Sequence, residues 1–203
     1  MERFKELPKE KQLPMIDAAL KCFGKYGYKK ASMKDIAQNS GVSKPMLFHY
    51  FGTKKELYRF LTEYARNVML DGYKRDEIDS YDDFFERLIV ASEMKMGILE
   101  KYPHLSQFIV SMFKETDSEV AEITNLMMPD AQKFSYNLVV KDGDMKKFKK
   151  GVDINMLMRL IFLMAEGYAY EVSGGNSDFS NVSEELKNMM RMLKNNLYRE
   201  EYL

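Results

Sequence analysis

The sequence predicts an all-α protein, with an N-terminal three-helix domain followed by a larger helical domain. Apolar residues recur at intervals of three and four along most of the chain, which is the spacing of one face of an α-helix. Few segments alternate with the period of two that is typical of a half-buried strand, and β-branched runs are scarce. With 203 residues, 45% of them hydrophobic and 31% charged, the chain is long enough for one or two packed domains. This composition argues against collagen, a disordered tail and a membrane protein.

The first strongly periodic helix carries an apolar stripe and ends at a glycine. Ile16, Ala19, Leu20 and Phe23 have the i, i+3, i+4, i+7 spacing of a core-facing side, and Gly27 has the position of a helix terminator. Further helices are predicted at residues 33–39, 43–50, 54–72, 80–101, 104–115, 117–135, 153–172 and 183–199. Glycine, proline and Asp-Gly positions separate most of them, and a loop rich in serine and glycine at 173–177 precedes the last.

Three short-range capping signals lie close together in the N-terminal quarter. Ser32 and Thr53 are each followed three residues later by an acidic residue, which is the spacing of a capping box. Ser43 precedes another short helix as a simple N-cap. Between the two short helices, Gly41 can adopt the left-handed backbone conformation that a tight turn requires. A helix, a four-residue turn and a second helix within residues 32–51 form the arrangement of a helix-turn-helix DNA reader.

The second of these helices has one side for the core and one for DNA. Leu47 and Phe51 lie four residues apart and are expected in the core. On the other side, Lys44 can reach a guanine edge or a phosphate, and Met46 can lie against a thymine methyl group. Pro45 suits the first turn of a helix. The other expected DNA-binding residues are Ser32, Ser43, Phe48, His49, Tyr50 and Lys54. Phe48 and Tyr50 as core residues remain an alternative.

The charge distribution supports a polyanionic partner at one end of the chain. Residues 1–60 contain 13 Lys and Arg against 6 Asp and Glu, a net charge of +7, whereas the whole chain has a net charge of zero. The remaining residues therefore carry −7. A basic N-terminal third attached to an acidic remainder indicates that the N-terminal part binds a polyanion. A merely uneven surface charge is the alternative.

The stretch from Ile16 to Leu57 resembles the N-terminal domain of the TetR/AcrR family of transcriptional regulators. The residues that carry the resemblance are Ile16-Asp17-Ala18-Ala19, Phe23, Gly27-Tyr28, Ala31-Ser32-Met33-Lys34-Asp35-Ile36-Ala37 and the run from Gly41 to Leu57. The resemblance implies a DNA-binding domain at residues 1–52, with its motif at 32–51 and its recognition helix at 43–50. A helical ligand-binding and dimerisation domain would then occupy residues 53–203.

The resemblance also implies individual DNA contacts. They carry over onto Ser32, Lys44, Met46, His49, Tyr50 and Lys54. Many members of the family have Gly-Thr where this chain has Pro45-Met46, so a threonine contact is absent. Phe48 stands where a tyrosine is common, so a hydroxyl bond to phosphate is not carried over at that position.

The acidic remainder has the composition of an apolar ligand cavity. The predicted helix at 80–101 is apolar nearly all round, so it is expected at the centre of its domain. Methionine, with 17 copies, suits an adaptable pocket. Two aromatic rings four residues either side of Glu166 would suit a cationic amphiphile, with Glu93 or Glu166 facing the pocket. An exposed carboxylate between two rings that reach toward the surface is the alternative. A plain methionine-rich core is the alternative. The predicted ligand-binding residues are Glu93, Met96, Phe108, Met112, Phe113, Phe162, Glu166 and Tyr170.

The last two long helices offer a surface for a second copy of the chain. Two helices from each copy would form a four-helix bundle, and the resemblance implies the same homodimer. The symmetry of such a dimer predicts a palindromic operator in double-stranded DNA, with recognition helices about 34–36 Å apart. Closure of a monomeric core by both helices is the alternative. The predicted interface residues are Leu157, Ile161, Ala165, Tyr168, Leu186, Met190, Leu193 and Leu197.

Other functional classes receive little support. The sequence has no His-Glu-x-x-His run, no Gly-x-Ser-x-Gly elbow and no glycine-rich phosphate loop, so no catalytic residue, metal or cofactor is expected. The single Cys22 cannot form an intramolecular disulfide, and neither a signal peptide nor a spanning segment is evident, which favours the cytoplasm. We therefore expect a repressor that a small, largely apolar ligand releases from DNA. The alternative is a helical lipid-binding or small-molecule-binding protein, or an enzyme, that does not bind DNA.

Overall fold

The computed structural model describes residues 1–173 and 179–203, and the all-α prediction is confirmed. The α-helices of the described residues are α1 (Glu2–Lys5), α2 (Lys9–Lys30), α3 (Met33–Asn39), α4 (Lys44–Phe51), α5 (Lys54–Asp71), α6 (Arg75–Asp79), α7 (Phe84–Lys101), α8 (Pro103–Phe113), α9 (Ala121–Thr124), α10 (Met127–Val139), α11 (Ile154–Ser173) and α12 (Phe179–Leu197). Short 3-10 helices occupy Asp144–Lys147 and Glu200–Tyr202. No helix in the described ranges combines the length and the apolar character that crossing a membrane requires. The loop expected at 173–177 lies almost wholly outside the described residues.

The predicted helix at 117–135 is the largest departure from the expected elements. The chain instead forms the single turn α9 and then α10, after an irregular segment. The Glu115 carboxylate accepts hydrogen bonds from the backbone N–H groups of Thr116 and Asp117, at 3.0 and 2.9 Å. The Asp117 carboxylate accepts another from the Glu119 N–H at 2.9 Å. These local bonds to side chains compete with helical ones and delay the start of the helix.

The first compact unit, unit 1, contains residues 1–70 and 101–128. Its core is rich in aromatic rings, with Phe23, Tyr58 and Phe108 packed at centroid distances of 5.2–6.3 Å. Helices α2 and α8 approach each other closely at Gly24. A Cβ at this position would lie 3.0 Å from the backbone nitrogen of Phe108, so only glycine fits without displacement.

The packing of α8 places part of the expected ligand domain in unit 1. The predicted functional boundary after residue 52 is therefore not where the compact units divide: α5 and α8 share a core with α2, α3 and α4. Residues 103–113 follow the central α7 in sequence, but their apolar side packs around Phe23 and Tyr58. The assignment of separate functions to residues 1–52 and 53–203 stays a prediction.

The second compact unit, unit 2, contains residues 71–100 and 129–203. Helix α7 supplies the adjacent rings of Phe84 and Phe85, and both pack against Phe148. The chain near Phe148 pairs with the segment after α12 through an antiparallel bridge to Tyr198. This bridge fastens the C-terminal segment of the chain to the core of unit 2.

A buried arginine connects three segments of unit 2. The Arg87 side chain is 0% exposed and donates hydrogen bonds to the carbonyl oxygens of Val139 and Tyr81, at 2.7 and 2.9 Å. Its third partner is the buried carboxylate of Asp144. That carboxylate also accepts a hydrogen bond from the Lys141 backbone N–H at 2.8 Å. The guanidinium is therefore bonded through each of its nitrogens, which is what a buried charge requires.

Candidate nucleic-acid interface

Helices α3 and α4 form the predicted helix-turn-helix, and the three predicted caps are confirmed. The Ser32, Ser43 and Thr53 side-chain oxygens accept hydrogen bonds from backbone N–H groups three residues later, at 3.3, 3.2 and 3.1 Å. In the turn, Gly41 has φ +73°, a conformation that side chains disfavour. Val42 follows it and packs against the core of unit 1. The capped ends and the glycine turn fix the angle between the two helices.

Helix α4 has a buried side and an exposed side. Leu47 and Phe51 lie in the core of unit 1, as the sequence predicts. The exposed residues of the same helix are Lys44, Pro45, Met46, Phe48 and His49. The Lys44 ammonium lies 5.8 Å from the centroid of the Phe48 ring. A short rigid helix that exposes a cation, two apolar groups and an imidazole has the chemistry of major-groove recognition.

Four other predicted DNA-binding residues have additional structural roles. The hydroxyls of Ser32 and Ser43 already accept the capping bonds, which leaves each with an O–H to donate. Lys54 donates to the Lys29 carbonyl oxygen at 3.2 Å and lies over the Tyr28 ring at 4.7 Å, so it joins the start of α5 to the end of α2. Tyr50 is half-buried and packs against the core.

Helix α1, which the sequence pattern did not predict, adds Arg3 to this surface and Phe4 to the core. Phe4 is completely buried, and its ring lies 6.0 Å from Tyr50 and 4.6 Å from Phe51. Arg3, beside it in sequence, is exposed and its Nη1 lies 2.9 Å from His49 Nε2. A four-residue helix has no apolar periodicity to detect, so only the lone Phe4 in a charged N-terminal segment could have indicated it.

The C-terminal end of α2 is held by a carboxylate from after α8. At Gly27 the backbone leaves the helical conformation with φ +68°. The next N–H, that of Tyr28, donates to Glu115 Oε2 at 2.6 Å. Arg59 and Lys55 of α5 bind Glu122 at 2.8 and 3.0 Å. Glu115 therefore holds the turn at the end of α2, and Glu122 pairs with the cations of α5.

The predicted ligand-binding residues do not form one cluster within either unit. Phe108, Met112 and Phe113 belong to unit 1, and the first two are core residues beneath the DNA-binding helices. The other five belong to unit 2: Glu93, Met96, Phe162, Glu166 and Tyr170. Of these, Glu93 is exposed and forms a 2.6 Å ion pair with Lys187, so it is a surface group and does not face a pocket.

A second charged pair in unit 2 is less accessible to water. Lys95 of α7 and Glu166 of α11 are both partly buried. Burial lowers the pKa of Lys95, and the negative charge of Glu166 opposes that shift. Burial likewise raises the pKa of Glu166, and the charge of Lys95 opposes that shift. The sequence pattern pointed to Glu166 but not to Lys95, because one lysine on a mixed helix looks like an ordinary surface residue.

The structure corrects four of the eight predicted interface residues, and the other four stay a prediction. Leu157, Ile161, Leu186 and Met190 are buried within their own unit, so they are not available to a second copy. Leu193 and Leu197 pack partly against the same core. Ala165 and Tyr168 are only partly exposed, and the Tyr168 hydroxyl donates to Glu185 at 2.8 Å.

The apolar face that α11 does expose lies beside the predicted one on the helix. Met156, Leu160, Leu163 and Tyr170 are 70%, 54%, 51% and 54% exposed. With Gly167, these positions alternate in steps of four and three, which is the spacing of a coiled-coil seam. We call these five residues the α11 seam. An exposed apolar stripe of this kind indicates a partner surface.

The N-terminal part of the chain matches a family model. Residues 15–60 match the model described as bacterial regulatory proteins of the tetR family. The chain is similar to the HTH-type transcriptional regulator BetI of Agrobacterium fabrum, with 39% identity over 64 residues, 32% of this chain and 29% of BetI. It is also similar to the HTH-type transcriptional activator FasR of Mycolicibacterium smegmatis, with 28% identity over 148 residues, 71% of this chain and 66% of FasR. The matches thus cover less than two thirds of either relative.

The whole fold is similar to that of solved regulators. The transcriptional regulator FadR from Bacillus subtilis, in complex with stearoyl-CoA, superposes with a TM-score of 0.70 at 16% identity, over 88% of this chain and 96% of FadR. At this identity the likeness shows the fold alone. The matched residues 15–60 contain the capped helix-turn-helix and its exposed recognition helix. Residues 15–60 therefore belong to the tetR family of bacterial regulatory proteins, and the chain as a whole has the fold of solved transcriptional regulators.

Proposed function

We propose that this chain is a DNA-binding transcriptional repressor of the cytoplasm that acts as a homodimer on a palindromic operator and responds to a small effector. The observation that carries the proposal is the exposed side of α4, where Lys44, Met46 and His49 stand on a helix whose other side is in the core. The net charge of +7 over residues 1–60 favours the approach of a polyanion. A regulator requires no catalytic residue of its own.

The dimer follows from the exposed apolar face. In the proposed homodimer, the α11 seam of one protomer packs against the partner, with α12 completing a four-helix bundle. Among the described residues, and apart from its own helical backbone, nothing lies within 4 Å of the place where the Cβ of Gly167 would be, so the partner helix can approach the backbone there. A two-fold axis through this bundle would present two copies of α4 to successive major grooves, which requires a palindromic site.

Selection of bound sequences from a random duplex pool tests the proposal directly. The expected result is a symmetric consensus whose half-sites are centred one helical turn apart, or a multiple of one turn. Recovery of an asymmetric consensus would contradict the proposed homodimer but would still support DNA binding by the chain. Failure of the purified protein to retain any duplex at low salt would overturn the proposed function as a whole.

Replacing Lys44 by alanine tests whether the exposed side of α4 contacts DNA bases. Lys44→Ala is expected to weaken binding to the selected operator about 5- to 150-fold for each half-site and to relax specificity at one base of each half-site, because a base contact is worth about 1–3 kcal/mol. Fluorescence anisotropy with operator variants measures both effects. Lys133→Ala, which removes an exposed lysine of unit 2, is the matched control and should leave the affinity unchanged. Equal affinities for the two variants would remove Lys44 from the interface.

The effector is proposed to combine an apolar body with an acidic group. Lys95 is a partly desolvated cation within unit 2, so an anionic group beside it would gain an ion pair in surroundings of low polarity. The regulator FadR in the similar structure is in complex with stearoyl-CoA, which has this combination. A cationic amphiphile at Glu166 is the second candidate, and the complex of the similar FadR with stearoyl-CoA is the observation that favours an acidic group instead.

Thermal unfolding in the presence of stearoyl-CoA tests this choice of effector. The unfolding temperature of the wild type is expected to rise, and most of the rise should disappear in Lys95→Met but persist in the control Lys187→Met. Lys187 also pairs with a glutamate, but at the surface. Stabilisation by a cationic amphiphile alone, abolished in Glu166→Gln, would reverse the assigned charge of the ligand.

A further inference from the structure

We propose that Arg3, twelve residues before the family-matched segment, binds a DNA phosphate at the edge of the groove that α4 reads. The inference rests on the proposed function and deepens it, because it extends the DNA-binding surface to helix α1. Neither the family match, which begins at residue 15, nor the resemblance in the sequence includes this helix.

Helix α1 is held against α4 by a buried aromatic residue. The Phe4 ring packs against Phe51 at 4.6 Å, Phe60 at 5.2 Å and Tyr50 at 6.0 Å. Burial of a phenylalanine among three rings is a strong anchor, since truncating such a residue removes its ring contacts and leaves a cavity in the core. Arg3 is therefore attached to a fixed point beside the recognition helix.

A side chain of α2 fixes the residues that follow Phe4. The Gln12 amide nitrogen donates to the carbonyl oxygens of Leu7 at 2.6 Å and Lys5 at 3.2 Å. These carbonyls come after the last turn of α1 or within it, where the helix itself offers no partner. The segment thus has an apolar anchor and a polar one, and both orient α1 relative to α2 and α4.

The Arg3 guanidinium lies at the exposed surface of α4. Its Nη1 donates to His49 Nε2 at 2.9 Å, which requires that nitrogen to be unprotonated. His49 is one of the exposed residues of α4, in its last turn, where the helix would leave the floor of a groove. A guanidinium carries five N–H donors, and the contact with His49 uses one of them.

The chemistry of the position favours phosphate over a base edge. A helix in the major groove is flanked by two sugar–phosphate strands, and a residue on a neighbouring element beside its C-terminal turn meets such a flank. The planar fork of arginine binds two oxygens of one phosphate. Lys5 lies two positions further on, on another side of α1, and forms an exposed ion pair with Glu2 at 3.5 Å.

The salt dependence of DNA binding distinguishes this contact from other effects. Removal of one phosphate-binding cation lowers the slope of log K against log salt by about 0.9, so Arg3→Gln should lower it by about 1.8 for a dimer. The affinity of Arg3→Gln for a mixed-sequence 30-base-pair duplex at low salt is expected to fall at least about tenfold. Arg3→Lys should keep the slope and reduce the affinity only in part, because it keeps the charge without the fork. Lys5→Gln, which removes one charge from the same helix, is the matched control and should change both quantities less.

A double-mutant cycle separates contact from positioning. If Arg3 binds DNA itself, Arg3→Gln lowers the slope equally in the wild type and in His49→Ala. If Arg3 only orients His49, its substitution has no further effect once His49 is removed, and the proposal is overturned. An unchanged slope in Arg3→Gln also overturns it, while leaving the regulator intact as long as the wild type binds duplexes. Arg3 is exposed, so an unchanged unfolding temperature verifies that the fold is kept.

Discussion

Substitution of Arg87 by methionine is expected to lower the free energy of unfolding by about 3–5 kcal/mol, the usual cost of removing one partner of a buried ion pair. The substitution leaves the Asp144 carboxylate buried without its guanidinium partner, and it removes a donor from the carbonyls of Val139 and Tyr81. Chemical denaturation followed by circular dichroism measures the change, with unchanged m-values as the check that the same transition is observed.

A surface arginine of unit 2 provides the control. Arg75 also donates to a backbone carbonyl, that of Asn137 at 2.9 Å, and pairs with Asp79 at 3.4 Å, but its side chain is largely exposed. Arg75→Met is expected to cost no more than about 1 kcal/mol. Combining Arg87→Met with Asp144→Leu should recover part of the stability, since no uncompensated charge of the pair then remains buried. A cost for Arg87→Met as small as that for Arg75→Met would contradict a stabilising role for the buried pair.

Introducing a charge into the α11 seam is expected to have the largest effect on DNA binding. Leu160→Glu places a carboxylate at the centre of the proposed homodimer interface, where the two-fold axis sets it near its own copy in the partner. The chain is expected to become monomeric in sedimentation at micromolar concentration. Operator affinity should fall by about 100- to 10,000-fold, because the two half-sites are no longer bound together.

A glutamate introduced at an exposed apolar residue outside the α11 seam is the control for this prediction. Met145 is 46% exposed, outside the α11 seam, so Met145→Glu makes the same kind of change without touching the proposed interface. It should leave both the oligomeric state and the operator affinity unaltered. If the Leu160→Glu protein sediments like the wild type, or if the wild type is already monomeric, the α11 seam is not a dimer interface.

The parts of the fold predicted well from sequence are those determined by local interactions. The caps of Ser32, Ser43 and Thr53 and the turn at Gly41 depend on residues within four positions, and all are in place. The division of α4 into buried and exposed sides also followed from its spacing, since Leu47 and Phe51 are its core residues. Local chemistry and periodicity were sufficient for these features.

The features that could not be predicted from sequence depend on distant segments. Helix α11 is apolar on more than one side, so periodicity could not tell the side packed on unit 2 from the exposed seam. Arg87 looks like an ordinary helix-surface residue until Asp144, far along the chain, is placed beside it. The place of Phe108 in the core of unit 1 could not be predicted either, because it depends on the close approach at Gly24 that brings α8 onto α2.

Unit 1 consists of two separate stretches of the sequence, residues 1–70 and 101–128. This limits how its DNA-binding part can be used in protein engineering. Its core needs Phe108, so a fragment trimmed to residues 15–60 would leave Phe23 and Tyr58 without the ring that covers them. During synthesis, the ribosome must translate well past the family-matched segment before this core can close. The DNA-binding part of unit 1 therefore cannot be transferred to another protein without α8. A chimera that joins it to a different ligand-binding domain must include α8 or replace its apolar side.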